Sequence, residues 1–101
     1  MIYEHAELHI NPTTAGQFLT DFTGVRHLLL AARGCHSVEL LPSIDSPDTY
    51  LLRVGWKRIE DHTETFRDTY QAKEVARVLT AHCIAPPRVI HFEGQDASAM
   101  R

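Results

Sequence analysis

The sequence predicts an α+β domain in which a four-stranded antiparallel sheet carries two helices on one face, in the chain order βαββαβ. Three observations predict it. Apolar and polar residues alternate from Ile2 to Ile10, which is the period of a strand. Phe18, Phe22, Val25, Leu29 and Ala32 recur at three- and four-residue steps, which is the period of a helix with one buried face. Beyond them, the stretch from Cys35 to Trp56 reads as two strands split by a proline-rich turn. A second helical region and a last short strand follow.

Each element has a local reason. One face of the first strand carries Ile2, Glu4, Ala6, Leu8 and Ile10, and the other carries Tyr3, His5, Glu7 and His9. Asn11-Pro12 stops it. Thr13 or Thr14 is placed to cap the first helix, and Gly34 to close it. The second strand is expected over about Cys35 to Leu41. Pro42 to Asp48 holds two prolines, two serines and two aspartates and reads as a turn. The third strand runs from Thr49 to Trp56.

The second helical region comes in two pieces. The first spans about Ile59 to Arg67. A fresh start follows at Asp68 or Thr69, where Asp68-x-x-Gln71 has the form of a capping box. The second piece is expected to bury Ala72, Val75 and Val78 or Leu79, and to approach the core again at His82. Pro86-Pro87 ends it. The last strand is Arg88 to Glu93. Gln95 to Arg101 is small and polar and is expected to fray, so the domain is placed at residues 1–94 and the tail at 95–101. Right-handed crossovers join these elements into the ferredoxin-like arrangement, with both helices on one face. Leu52 and Val54 point to one side of the third strand and Leu51 to the other. The uncovered face is thus partly apolar and is expected to pack on the sheet of a second copy, giving a homodimer.

The stretch Tyr50 to Arg67 is the most informative for function. A strand ends in the single tryptophan, Trp56, and a histidine follows six residues later. On an α-helix, Ile59, His62 and Phe66 share a face, and the two apolar members assign that face to the interior. His62 is therefore expected to point inward beside an aromatic wall.

Bulk properties exclude several classes. The net charge is −3 and no basic stripe is present, so a nucleic-acid partner is not expected. No apolar run approaches the roughly 20 residues of a membrane span. Glu4, His5 and Glu7 interrupt any secretory signal pattern at the N-terminus. Cys35 and Cys83 form neither a CxxC nor a metal-type pair, which fits a reduced, cytoplasmic chain. There are seven histidines. His5 and His9 share a face of the first strand and His91 lies on its expected neighbour, but the His5-x3-His9 spacing separates their Cα atoms by roughly 13 Å, too far for one ion. No metal site is expected. His27, His36 and His82 are read as surface or helix-end residues.

The segment Tyr50-Leu51-Leu52-Arg53-Val54-Gly55-Trp56, the His62-Thr63 pair, Phe66-Arg67 and the closing Pro86-Pro87-Arg88-Val89-Ile90-His91-Phe92 together resemble the antibiotic biosynthesis monooxygenase family, a set of dimeric α+β barrel proteins. The resemblance spans about Ile2 to Glu93, and the Trp-x5-His-x3-Phe-Arg spacing is its most specific part. It implies oxygenation of a small aromatic, quinol or polyketide-like substrate by O₂ with no cofactor: no flavin, metal or haem. The implied mechanism has a base remove a phenolic or activated C–H proton, after which the electron-rich substrate reacts with O₂. On this reading His62 is the base and Arg67, or Arg53, steadies an oxyanion. Trp56 and Phe66 are aromatic walls, and Phe22, Tyr70 and His91 complete the candidate substrate-binding set.

A haem-degrading branch of the same fold is marked by an asparagine on strand one, a tryptophan within helix two and a histidine further along it. This chain departs at each place: its Asn11 lies at the end of the strand, Thr65 falls nearest the tryptophan, and Val75 nearest the histidine. Two other classes fit the same scaffold, a non-catalytic ligand-binding dimer and an isomerase or cyclase using His62 as base.

Overall fold

The computed structural model describes residues 1–94, so the tail expected at 95–101 lies outside the described residues. The elements are β1 (Ile2–His9), α1 (Ala15–Leu30), β2 (Cys35–Pro42), β3 (Thr49–Trp56), α2 (Tyr70–His82) and β4 (Arg88–Glu93). All neighbouring strands are antiparallel, in the order β2-β3-β1-β4. This is the ferredoxin-like order, with both helices on one face. The core lies between helices and sheet: Phe18, Phe22, Val25 and Leu29 from α1 and Val75 from α2 meet Ala6, Leu8, Val38, Leu52, Val54 and Trp56 from the strands. Among the described residues, no helix is long and apolar enough to cross a membrane.

The entry to α1 is built differently from the expectation. Asn11, not a threonine, makes the cap: its Oδ1 accepts the Thr13 backbone N–H at 3.0 Å. Pro12 then begins a short 3₁₀ turn, Pro12–Thr14, that leads into α1. A fixed proline φ suits the first position of such a turn, where the missing N–H has no partner to lose. Thr14 stands at the N-cap of α1 but makes no capping bond.

Gly34 closes α1 at φ +82°, in the left-handed region that favours glycine. A second constraint acts there. A Cβ on Gly34 would overlap the carboxylate of Asp61, which is buried at the start of the second helical region. Asp61 Oδ2 also accepts the Arg58 N–H at 3.1 Å, and the Gly34 carbonyl accepts the Lys57 N–H at 2.7 Å. The α1–β2 turn and the segment after β3 are thus clamped together, which fixes where the next residue, His62, begins.

The two-piece reading of the second helical region holds, but the first piece is not α-helical. A π-helical turn covers Asp61–Thr65, with the Phe66 N–H bonded to the Asp61 carbonyl, and a 3₁₀ turn covers Phe66–Asp68. The backbone is extended at Thr69, whose Oγ1 caps α2 by accepting the Ala72 N–H at 3.1 Å. The wide turn breaks the three- and four-residue rule that placed Ile59 with His62 and Phe66. Ile59 is 39% exposed, so its assignment to the buried face is corrected. Phe66 is buried as expected.

His82 is a helix-end residue that approaches the core, as expected, and of the two positions offered for it the surface one is not taken. It is buried at the end of α2, with Nε2 at 2.8 Å from Asp21 Oδ2 and Nδ1 at 3.0 Å from Thr14 Oγ1. Its imidazole links the end of α2 to the beginning of α1. Helical spacing marks the position, but the polar partners Thr14 and Asp21 lie far away in the chain and only the helix crossing supplies them.

Candidate active site

The alternation of β1 places Glu4 on the same face as Ile2, Ala6 and Leu8, the face that the helices cover. Glu4 is accordingly buried. It pairs across the sheet with Val54 on β3 and with His91 on β4. Buried carboxylates require partners, and Glu4 finds them on the neighbouring strand and the π-helical turn. Trp56 Nε1 donates to Glu4 Oε1 at 3.0 Å. His62 Nε2 faces the same oxygen at 3.3 Å. The other ring nitrogen of His62, Nδ1, is hydrogen-bonded to His91 Nε2 at 2.8 Å.

The rings are held by packing. The imidazole of His62 stacks on the Trp56 indole, with centroids 5.2 Å apart and planes within 13°. Phe66 also packs on the indole, tilted, with centroids 5.5 Å apart. Burial pushes the Glu4 carboxyl above its usual range, opposed by the Trp56 hydrogen bond and by the nearby His91. Burial pushes the His62 imidazole below its usual range. Both shifts favour neutral forms, which is the direction that low polarity imposes on a carboxyl and an imidazole alike.

This polar group ends a cavity of about 620 Å³ between α2 and the sheet. Its walls are mainly apolar: Ala6 and Leu52 from the sheet, Leu29 from α1, and Ala72, Val75 and Leu79 from α2. The small side chains of Ala72 and Ala76 leave the space open on the α2 side. Thr63, Arg67 and Lys73 stand along it as the other polar residues, and Phe66, Pro87 and Val89 complete it.

The expected site residues distribute unevenly. His62, Phe66 and Arg67 line the cavity. His91 joins the group through its bond to His62. Trp56 is fully buried behind His62 and Glu4, so it supports the site instead of forming a wall of the cavity. Phe22 is a core residue, set edge-on to Phe18 at 5.9 Å with the Arg26 guanidinium over its ring. Tyr70, the first residue of α2, is 70% exposed and stands apart from the cavity. The side chain of Arg67 is 68% exposed and pairs with Asp68 at 3.3 Å. Arg53 is on the outer sheet face, with its guanidinium 4.2 Å from the Tyr3 ring centre, and is not near the cavity. His5 and His9 lie on that outer face and His91 on the inner one, so the three histidines are not gathered. Among the described residues no cluster with metal-binding potential is present.

Glu4 is the residue that sequence reasoning missed. The signal was available: a carboxylate stands on the apolar side of an otherwise alternating strand, where a charge needs a reason to be buried.

Comparisons with known proteins agree with this architecture. The sequence profile of the antibiotic biosynthesis monooxygenase family matches residues 1–78. Protein YczJ of Bacillus subtilis (strain 168) is 30% identical over 93 residues, covering 92% of this chain and 98% of that protein. A Bordetella bronchiseptica crystal structure, named for antibiotic biosynthesis monooxygenase, superimposes with a TM-score of 0.87 at 31% identity, over 93% of this chain and 96% of that one. A Nitrosomonas europaea structure with the same family name gives a TM-score of 0.80 at 14% identity, over 93% and 98% of the two chains, and shows the shared fold. The family match supports a monooxygenase-like role.

Proposed function

The chain belongs to the antibiotic biosynthesis monooxygenase family, and from that premise we propose that it oxygenates a small aromatic, quinol or polyketide-like substrate with O₂ and no cofactor. One observation carries the reading: an apolar cavity of about 620 Å³ ends on a buried carboxylate and imidazole. That volume suits a small organic ligand, for which roughly 300–1,000 Å³ is usual. The apolar walls accept flat rings, and the Glu4–His62 group is the place for an ionisable hydroxyl. Removing its proton makes the ring electron-rich enough to react with O₂. One oxygen atom enters the substrate and the other leaves as water, so the substrate supplies all the electrons. Arg67 at the edge of the cavity faces the negative charge that develops on the substrate.

Oxygen consumption with a panel of hydroquinones and anthrones tests this. The native protein is expected to consume O₂ with at least one of them, and His62→Ala to be slower by about 100-fold or more, because the substitution breaks up the Glu4–His62 acid–base group. No consumption by the native protein across the panel would end the proposal for those substrates.

The same proposal places the protein in the cytoplasm as a homodimer formed through the outer face of the sheet, with residues 1–94 as its one domain. Support comes from Leu41, Ile90 and Phe92, which are exposed there, beside Tyr3 and Leu51 on paired strands. On the same face Arg53 Nε is sealed from solvent with no partner among the described residues. Light scattering at micromolar concentration is expected to give twice the subunit mass. A mass of one subunit would overturn this assembly and leave the cavity reading intact.

A further inference from the structure

We infer that Glu4 is the residue that takes the substrate's proton and that His62 positions it, an assignment that rests on the oxygenation reading above. The geometry points to Glu4 by what each group has left to offer. Both ring nitrogens of His62 already face a protein group: Nδ1 lies 2.8 Å from His91 Nε2, and Nε2 lies 3.3 Å from Glu4 Oε1. Its ring is also held flat against Trp56. To accept a proton from a ligand it would have to leave one of these partners. Glu4 is placed the other way. The Trp56 N–H and His62 Nε2 both address Oε1. Oε2 has no partner among the described residues and is not sealed from solvent, since Arg53 Nε is the one side-chain atom among them that is both sealed and unpartnered. Glu4 lines the cavity, so Oε2 is the acceptor that a bound hydroxyl meets.

The step balances simply. The substrate O–H bond breaks, an O–H bond forms at Glu4 Oε2, and the electron pair stays on the substrate oxygen. Burial assists by raising the basicity of the carboxylate, so that it holds a proton more strongly than an exposed glutamate. The other titratable or charged groups around Glu4 are His62 and His91, Cys35 on β2, and Arg67 and Lys73 at the cavity. On this assignment Glu4 is the catalytic residue and His62 the positioning one.

The test uses 4-nitrophenol as a probe, because its ionisation is visible by absorbance and it needs no O₂. Calorimetry in two buffers of different ionisation enthalpy counts the protons taken up when the phenolate binds. The native protein is expected to take up one proton above the pH at which Glu4 ionises. Glu4→Gln is expected to bind the probe without proton uptake; it keeps an oxygen for the Trp56 N–H and so preserves that bond. His62→Gln leaves the Glu4 carboxylate in place, so uptake of one proton is expected to persist, with its midpoint moved because the imidazole beside Glu4 Oε1 is gone. His62→Leu puts an apolar group beside the buried carboxyl in place of the imidazole, so uptake should persist with its midpoint moved to higher pH. An infrared band of a protonated carboxyl, shifted by isotopic labelling of glutamate, should appear in the native protein on binding; this readout does not depend on any variant folding. Proton uptake that survives in Glu4→Gln, or no such infrared band, would overturn the assignment while leaving the oxygenation reading standing. Failure of the native protein to bind the phenol would instead overturn the cavity as a phenol site, and both readings with it.

Discussion

Replacing Trp56 with alanine is expected to lower folding stability by about 3–5 kcal/mol, the cost of removing a large aromatic side chain from a packed core. The indole is fully buried at the end of β3 and touches both His62 and Phe66. Its loss would leave a cavity beneath the candidate site and remove the donor to Glu4. Trp56→Phe separates the two contributions. It retains much of the packing but leaves Glu4 Oε1 without its N–H donor, at a cost of about 1–3 kcal/mol. Urea denaturation measures both as a fall in midpoint at unchanged slope. A loss below about 1 kcal/mol for Trp56→Ala would mean that the indole does not support this part of the core.

Ala72→Phe is expected to weaken 4-nitrophenol binding by about 100-fold or more, which corresponds to about 2.8 kcal/mol. Ala72 lies on the α2 side of the cavity, and a phenyl group there would occupy the space proposed for the ligand's ring. The ring enters an existing void beside the core, so the variant should stay folded, with a stability loss of no more than about 1–3 kcal/mol. Calorimetric titration with a parallel urea melt reads both effects. Unchanged binding in a stably folded variant would show that the phenol does not occupy this cavity.

The sequence discloses the fold more fully than the site, and the reason is periodicity. Strand β1 and helix α1 each have one face on the core, so a period of 2 or 3.6 marks them directly. The break before Ala72 was readable because Thr69 is a capping residue, and the structure shows it capping α2. The π-helical turn at Asp61–Thr65 was not readable. Its wider spacing fits neither period, and the contact that fixes it, Asp61 beside Gly34, joins residues far apart in the chain. The same limit explains the site residues. His62 and Phe66 lie one turn apart and were found together by spacing. Glu4, His62 and His91 come from three elements: the strand register sets Glu4 beside His91, and the π-helical turn brings His62 to both. No spacing ties Tyr70 to the other candidate residues, and its position at the exposed start of α2 follows from a cap one residue earlier.

The stack of His62 on Trp56 also bears on reorganisation energy. In water, a carboxylate that accepts a proton must wait for solvent dipoles to turn with the changing charge. Here the dipoles that answer to Glu4 are an indole N–H and an imidazole, held by ring planes 13° apart. Turning the carboxylate to present Oε1 to the cavity would take that oxygen from both. The orientation work is therefore done once, as the chain folds, and is not repeated at every turnover. It follows that the contacts stabilising this corner of the core and those readying it for proton transfer are the same contacts. A substitution that loosens the indole would be felt in both properties together.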